Sequence, residues 1–214
     1  WATGISAGPP DEATQTLSFT VSNNNNALFS AQPAVSPTGV LTYTAAATAN
    51  GSAIVTLSLS DNGGTANGGI DTSAAQTFTI TVTGINDAPS FTAGPNQTVL
   101  EDAGAQTVNP WATAISAGPP NESSQVVSFN ITGNTNAALF SAPPAVSSSG
   151  VLTYTPAANA NGTATITLVA VDDGGTANGG VDTSPAQSFD ITVTSVNDAP
   201  GFTKGPDQNV AEDA

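Results

Sequence analysis

The sequence contains no cysteine, no histidine and no methionine, and its 214 residues include a single cation, Lys204. Without cysteine there is no disulfide and no thiolate metal site, and cysteine pairing says nothing about redox compartment. Without histidine or cysteine the usual nucleophiles and proton shuttles are missing, and one lysine is a poor candidate for covalent chemistry. Paired carboxylates alone can hydrolyse glycosides, but they need a cleft, and the short strands and turns read below offer none. The chain is therefore read as non-enzymatic. With 16 acids against 1 cation the net charge is −15. Nucleic acid and anionic membrane both reward Lys and Arg, so neither is an expected partner. No apolar run approaches the ~20 residues needed to span a bilayer, so no membrane insertion is expected.

What the sequence does have is an internal repeat. Trp1-Ala-Thr returns at Trp111-Ala-Thr, and Asn86-Asp-Ala-Pro returns at Asn197-Asp-Ala-Pro. The period of about 110 residues fits a seven-stranded sandwich of roughly 100 residues. Residues 1–88 form the first copy, 89–199 the second, and 200–214 open a third. The first copy has no counterpart of PNQTVLEDAGAQTVNP before its Trp, and the chain ends on PGFTKGPDQNVAEDA. The frame reads as a piece cut out of phase from a longer array. A first copy lacking its N-terminal strand should carry an unpaired sheet edge. Units of such arrays contact chiefly their neighbours, so adjacent repeats of the same protein are the expected partners. A loose C-terminal strand completing the first copy of another molecule would give head-to-tail self-association and a filament.

The local signals are those of strands. TATITLVAV (163–171), SAIVTLSLS (52–60), SFDITVT (188–194) and TFTITVT (77–83) alternate apolar and small polar residues at period two. Glycine (21) and proline (15) interrupt the chain too often for ordinary helices. In the second copy strands are predicted near 96–100, 106–115, 125–132, 138–141, 151–155, 163–171 and 187–194. The fold class is all-β: two tandem Ig-like sandwiches, plus the first strand of a third. Trp111, Ile115, Phe129, Ile131, Leu139, Phe140, Leu152, Tyr154, Ile166, Leu168, Phe189, Ile191 and Val193 are the expected core. Trp1, the counterpart of Trp111, is expected inside as well, with exposed sugar stacking as the alternative.

The acids recur at equivalent places. DDGGTANGGVDTS (172–184) answers DNGGTANGGIDTS (61–73), and GPPNESSQ answers GPPDEATQ, placing Asp172 and Asp173 opposite Asp61 and Asn62, and Glu122 opposite Glu12. Glu101-Asp102 and Glu212-Asp213 follow the two Asn-Asp-Ala-Pro turns. The glycines let the 172–184 loop curl and present carbonyls beside carboxylates. Hard oxygen ligands in a flexible shell suit calcium; a polar hairpin tip is the competing reading of the same loop. Both loops can reach one end of a sandwich, where Asp172, Glu122, Asn86 and Asp87 would converge at the joint between copies.

These motifs resemble those of the cadherin-like tandem domains of large secreted bacterial adhesins, and more distantly cadherin repeats. Ala170-Val-Asp172-Asp-Gly174, Asn197-Asp198-Ala-Pro200 and Val99-Leu-Glu101 stand where cadherin repeats carry Ala-x-Asp-x-Gly, Asn-Asp-Asn-x-Pro and a strand-ending Glu. The resemblance implies calcium at the joints. Asn86, Asp87 and Asp172 would serve the joint between the two copies. Glu101, Asn197 and Asp198 would serve the next, and Asp61 would face an upstream one. The linker has Ala where cadherins have the second Asn, Gly84 or Ser195 replaces their preceding Asp, and the Leu-Asp-Arg-Glu segment is absent. One or two ions per joint are expected, not three. The implied role is a calcium-stiffened spacer of a secreted or cell-surface protein involved in adhesion. A carbohydrate- or protein-binding module is the alternative, and it would need an exposed aromatic platform.

Overall fold

The computed structural model of the chain describes residues 1–212; Asp213, the second member of the last acidic pair, lies outside the described residues. By its own contacts the chain divides into two compact units. One comprises Trp1–Ala88 with Ser116–Val126 and Asp172–Asp182, and the other Pro89–Ile115 with Val127–Val171 and Thr183 onward. Among the described residues there is no α-helix, only three-residue 3₁₀ turns between strands. The all-β expectation holds.

In the first unit β1 (Ser18–Asn23), β4 (Gly51–Ser60) and β5 (Gln76–Val82) form an antiparallel sheet in the order β1-β4-β5. A hairpin of β2 (Phe29–Val35) and β3 (Leu41–Ala45) makes the second layer. Period-two alternation puts Ala53, Val55 and Leu57 inside and leaves Ile54 exposed on β4. Leu28, Phe29, Ala53, Val55 and Ile80 form the core, with Val21, Phe78 and Val82 packed against it.

The second unit has more strands: β6 (Ser90–Thr92), β7 (Gln97–Leu100), β8 (Gln106–Val108), β9 (Thr113–Ser116), β10 (Ser128–Asn134), β11 (Phe140–Val146), β12 (Leu152–Pro156), β13 (Gly162–Val171) and β14 (Gln187–Thr194). One sheet runs β10-β13-β14-β7, with β7 parallel to β14; the others are β11-β12-β8 and β6-β9. On β13, Ala164, Ile166, Leu168 and Ala170 are fully buried on one face.

Several expectations need correction. The 106–115 stretch is two strands, because the chain turns between them, where Trp111 and Ala112 both donate their amides to the Gly150 carbonyl. Of the strand expected at 138–141 only Phe140 and Ser141 are in one: Ala137–Leu139 is a 3₁₀ turn, and β11 starts at Phe140 and runs on through Pro143 and Pro144. Proline there leaves gaps in the β11–β12 register that an edge strand tolerates. Ile115, Phe129 and Ile131 are half-buried, while Phe91, Val127 and Val146 join the core. The opening strand of a third copy is not formed: residues 200–212 carry no strand, having no sheet partner.

Trp1 is the largest departure. Trp111 is 2% exposed and Trp1 59%, although each leans on its equivalent phenylalanine, Phe189 or Phe78. The difference is the cover. In the second unit Gly94 lies so close to the indole that a β-carbon there would collide with it, and Trp111 Nε1 donates to the Pro95 carbonyl (3.1 Å). In the first unit no described residue covers Trp1 in this way. Tyr43 and Tyr154 differ for the same reason, 47% against 2%, because β8 pairs with β12 but nothing pairs with the outer side of β3. Trp111→Ala should cost about 3–5 kcal/mol and Trp1→Ala less than about 1 kcal/mol, measured by urea denaturation.

Tyr154 buries its hydroxyl without a hydrogen-bond partner. Burial pushes its phenol above the ordinary 10.0. The unfolded chain therefore releases this proton first, so stability is intact below that value and falls as pH rises through it. Tyr154→Phe should remove that alkaline loss, read as a smaller drop in urea midpoint between about pH 8 and pH 11.

Candidate metal centre

The first unit contains three segments that meet: the exit from β5 (84–88), the loop 116–126 and the loop 172–182. In the second of these, Pro119 and Pro120 set the entry to a 3₁₀ turn, Pro120–Glu122, closed by Glu122 N to the Pro119 carbonyl (2.9 Å). The chain folds back so tightly that a β-carbon on Gly118 would collide with the Glu122 carboxylate. In the third segment Asp172 Oδ1 accepts the Gly174 amide (2.9 Å), an Asx turn that starts the loop. Asp172 N donates to the Asp182 carbonyl (3.0 Å) and so closes the loop. Asp173 Oδ1 accepts the Val126 amide (2.8 Å) and ties the two loops together.

Asn86 sits at the centre. Its Nδ2 donates to Asp172 Oδ1 (2.9 Å) and to the Val181 carbonyl (2.7 Å). Its Oδ1 accepts Gln125 Nε2 (2.8 Å), and its own carbonyl accepts the Val181 amide (2.9 Å). The next residue, Asp87, donates its amide to Glu122 Oε1 (3.0 Å). Asn86, Asp87, Glu122 and Asp172 are thus brought together by direct hydrogen bonds.

The electrostatics are one-sided. Glu122 is 5% exposed and Asp172 6%. Among the described residues the single ion pair is Lys204 with Asp207, on the exposed C-terminal segment. A carboxylate withdrawn from water without a cation costs several kcal/mol unless donors compensate. The compensation here is partial. Asp172 Oδ2 is buried with no hydrogen-bond partner, and so is Gln125 Oε1. Both atoms only accept, so what each lacks is a donor or a cation. Among the described residues no three acidic side chains are gathered closely enough to hold a metal by themselves. Any shell here would be mixed, two carboxylates supplemented by amide and peptide oxygens, a donor set that suits calcium's six to eight oxygens.

The remaining acids occupy other places. Glu101 is 5% exposed in the second unit, where Oε1 accepts the Val196 amide (2.6 Å) and its own amide donates to the Thr194 carbonyl (3.0 Å). Asp102, Asn197 and Asp198 are exposed, and Asn197 Nδ2 donates to the Asp198 carbonyl (3.1 Å). Glu12 and Asp61 are half-buried, and Asp61 Oδ1 accepts the Gly63 amide (2.8 Å) as Asp172 accepts that of Gly174. Asn62 likewise accepts the Thr16 amide (2.8 Å), and Gln15 Oε1, like Gln125 Oε1, is buried without a partner. Sequence reasoning passed over Gln125. The signal was available, since a Gln stands three residues after the loop Glu in both copies.

No family model matches the chain, and no curated protein sequence matches it. Solved structures share its fold. Human protocadherin-24 EC1-2 (form II) is 19% identical with a TM-score of 0.56, over 86% of this chain and 85% of that one. Another crystal structure of human protocadherin-24 EC1-2 gives 19% identity and a TM-score of 0.54 over 88% and 85%. The likeness is one of fold: all-β, cadherin-like sandwich domains of Ig type.

Gly174 has no room for a side chain, because a β-carbon would collide with Asn86 Oδ1 and Gln125 Nε2. Gly174→Ala should push Asn86 off the loop and cost about 1–3 kcal/mol in urea denaturation. Gly205→Ala, whose β-carbon meets open space, serves as the control and should be neutral.

Proposed function

We propose that this chain is a structural spacer from an extracellular array, a bacterial adhesin or surface fibre, whose repeats are stiffened by calcium. The ion is assigned to the Asp172 and Glu122 carboxylates and the Asn86 and Gln125 side-chain carbonyls, with Asp87 steadying Glu122 through its backbone amide. The observation that carries the reading is Asp172 Oδ2, a buried carboxylate oxygen with no partner beside a second buried carboxylate. A chain of net charge −15 with one cation must find its counter-charge outside itself. An ion bound there would hold the 84–88 segment to both loops by mass action, since it binds the assembled arrangement better than a loose one. Asp173 would act through the loop geometry it fixes. Glu101, Asp102, Asn197 and Asp198 would serve the joint with a following repeat, and Glu12 and Asp61 that with a preceding one.

A spacer on a cell surface or in a secreted fibre needs no catalytic group, in keeping with the residues the chain lacks. The sugar-binding alternative gains nothing from its exposed aromatics. Trp1 and Tyr43 are exposed, but their counterparts Trp111 and Tyr154 are core residues, so their exposure reflects missing cover and not a stacking platform.

Thermal unfolding in excess chelator and then in saturating calcium tests the proposal. At about 100 times the dissociation constant, calcium should add about 2.7 kcal/mol and raise the midpoint by about 5–10 °C. Asp172→Ala should abolish most of that rise. An unchanged midpoint in calcium would refute the site.

A further inference from the structure

An edge strand presents a row of unpaired N–H and C=O groups that can take on another strand, and folds guard such edges with proline, bulges or shortness. In the second unit every edge is guarded. β11 carries Pro143 and Pro144, and its register with β12 is broken twice. β6, β7, β8 and β9 have only three or four residues each. β10 contains a bulge: its register with β13 shifts between Ile131 and Gly133, leaving Thr132 with no residue opposite.

The first unit differs at one of these places. β2 keeps a proline, Pro33, and a broken register. β1, the counterpart of β10, has no bulge. Where the second copy reads Thr-Gly-Asn-Thr-Asn (132–136) the first reads Ser-Asn-Asn-Asn (22–25), one residue shorter. Ser18–Asn23 therefore pairs with β4 without a break, and it holds neither proline nor a charged residue. β4 is its only sheet neighbour. The open side belongs to the fold, because β10 likewise has only β13 beside it. The other bare strands of the first unit, β3 and β5, correspond to β12 and β14, which are paired on both sides.

The pairing with β4 fixes which groups point outward. Asn24 donates its amide to the Ile54 carbonyl (3.2 Å). Backbone direction alternates along a strand, so Ser22, Thr20 and Ser18 also face β4, while Phe19, Val21 and Asn23 turn their N–H and C=O away from it. That outward row is its own complement about a two-fold axis through Val21. Charge favours the same partner. Residues 13–60, which supply β1 to β4, contain no charged side chain, so a chain of net charge −15 has a neutral flank through which two copies can approach.

We propose that β1 of one molecule pairs antiparallel with β1 of a second copy, Val21 opposite Val21 and Phe19 opposite Asn23, joining two β1-β4-β5 sheets into one. Each outward N–H then meets an outward C=O. Thr20 and Ser22, both exposed, come to lie opposite each other. The same surface serves both molecules, so the contact is isologous and closes at two.

The test is sedimentation velocity of the 214-residue chain up to about 300 µM, in excess chelator so that the calcium proposal is not engaged. Mass should rise from 20.9 kDa to twice that and stop, at lower concentration in high salt, which screens the repulsion between anionic chains. Thr20→Glu with Ser22→Glu sets carboxylates opposite each other and should weaken association at least about ten-fold. Asn130→Glu with Thr132→Glu, the same change on the bulged β10, should leave it unaltered. All four positions are exposed, and thermal unfolding checks that each fold is intact. Because the chain has no cysteine, the register can be read directly. Thr20→Cys mixed with Ser22→Cys should form a disulfide-linked pair faster than either variant alone. A chain that stays monomeric throughout, a mass that grows past two copies, or a β1 glutamate variant that associates like the parent overturns the proposal.

Discussion

The tryptophan of the second unit is buried by a segment distant from it in sequence, Gly94 and Pro95, and that pairing of segments sets how its sandwich is sealed. In the second unit Gly94 and Pro95 seal Trp111, β8 pairs with β12 at Leu152 and Tyr154, and β7 lies at the edge of the other sheet. The equivalent residues of the first unit, Trp1 and Tyr43, have no described segment packed over them and are exposed. Burial here is a property of the pair of segments and not of either one. Such coupling between stretches distant in sequence is what makes repeat units depend on their neighbours.

The polar centre obeys a related constraint. Buried carboxylates at 122 and 172 are held by peptide and amide N–H groups, because the chain has almost no cations to offer them. Those donors fix orientation but leave one oxygen of Asp172 without a donor. A shell built mostly from neutral dipoles, with a few carboxylates, favours an oxygen-seeking divalent ion over a pairing side chain. The close approach of Gly174 and Gly118 shows that the loops are shaped around these groups.

Much of this was legible beforehand. Period-two alternation in 163–171 and 187–194 located β13 and β14 to within a residue, because one face of each is buried throughout. The convergence of Asn86, Asp87, Glu122 and Asp172 could be read from acids recurring beside glycine and proline turns. Other parts were silent. Trp1 and Trp111 share a local sequence yet differ in exposure, and no window around either residue contains the covering segment. Gln125 was missed because an uncharged amide carries no charge signal, and the Val181 carbonyl is a backbone atom that side-chain identity does not encode. The break of 106–115 into two strands depends on the Gly150 carbonyl, which lies far away in sequence.

The parallel pairing of β7 with β14 has a mechanical consequence. The four-residue β7 and the last strand of the unit run side by side in the same direction, so a pull that enters at the start of β7 and leaves at the end of β14 slides one strand along the other. Sliding loads every rung from Gln97–Ile191 to Leu100–Thr194 at once, whereas peeling an antiparallel hairpin from its end breaks rungs one by one. A short strand placed this way acts as a shear clamp, so the unit resists being drawn out between the start of β7 and the end of β14 more than a peeled hairpin of the same length would.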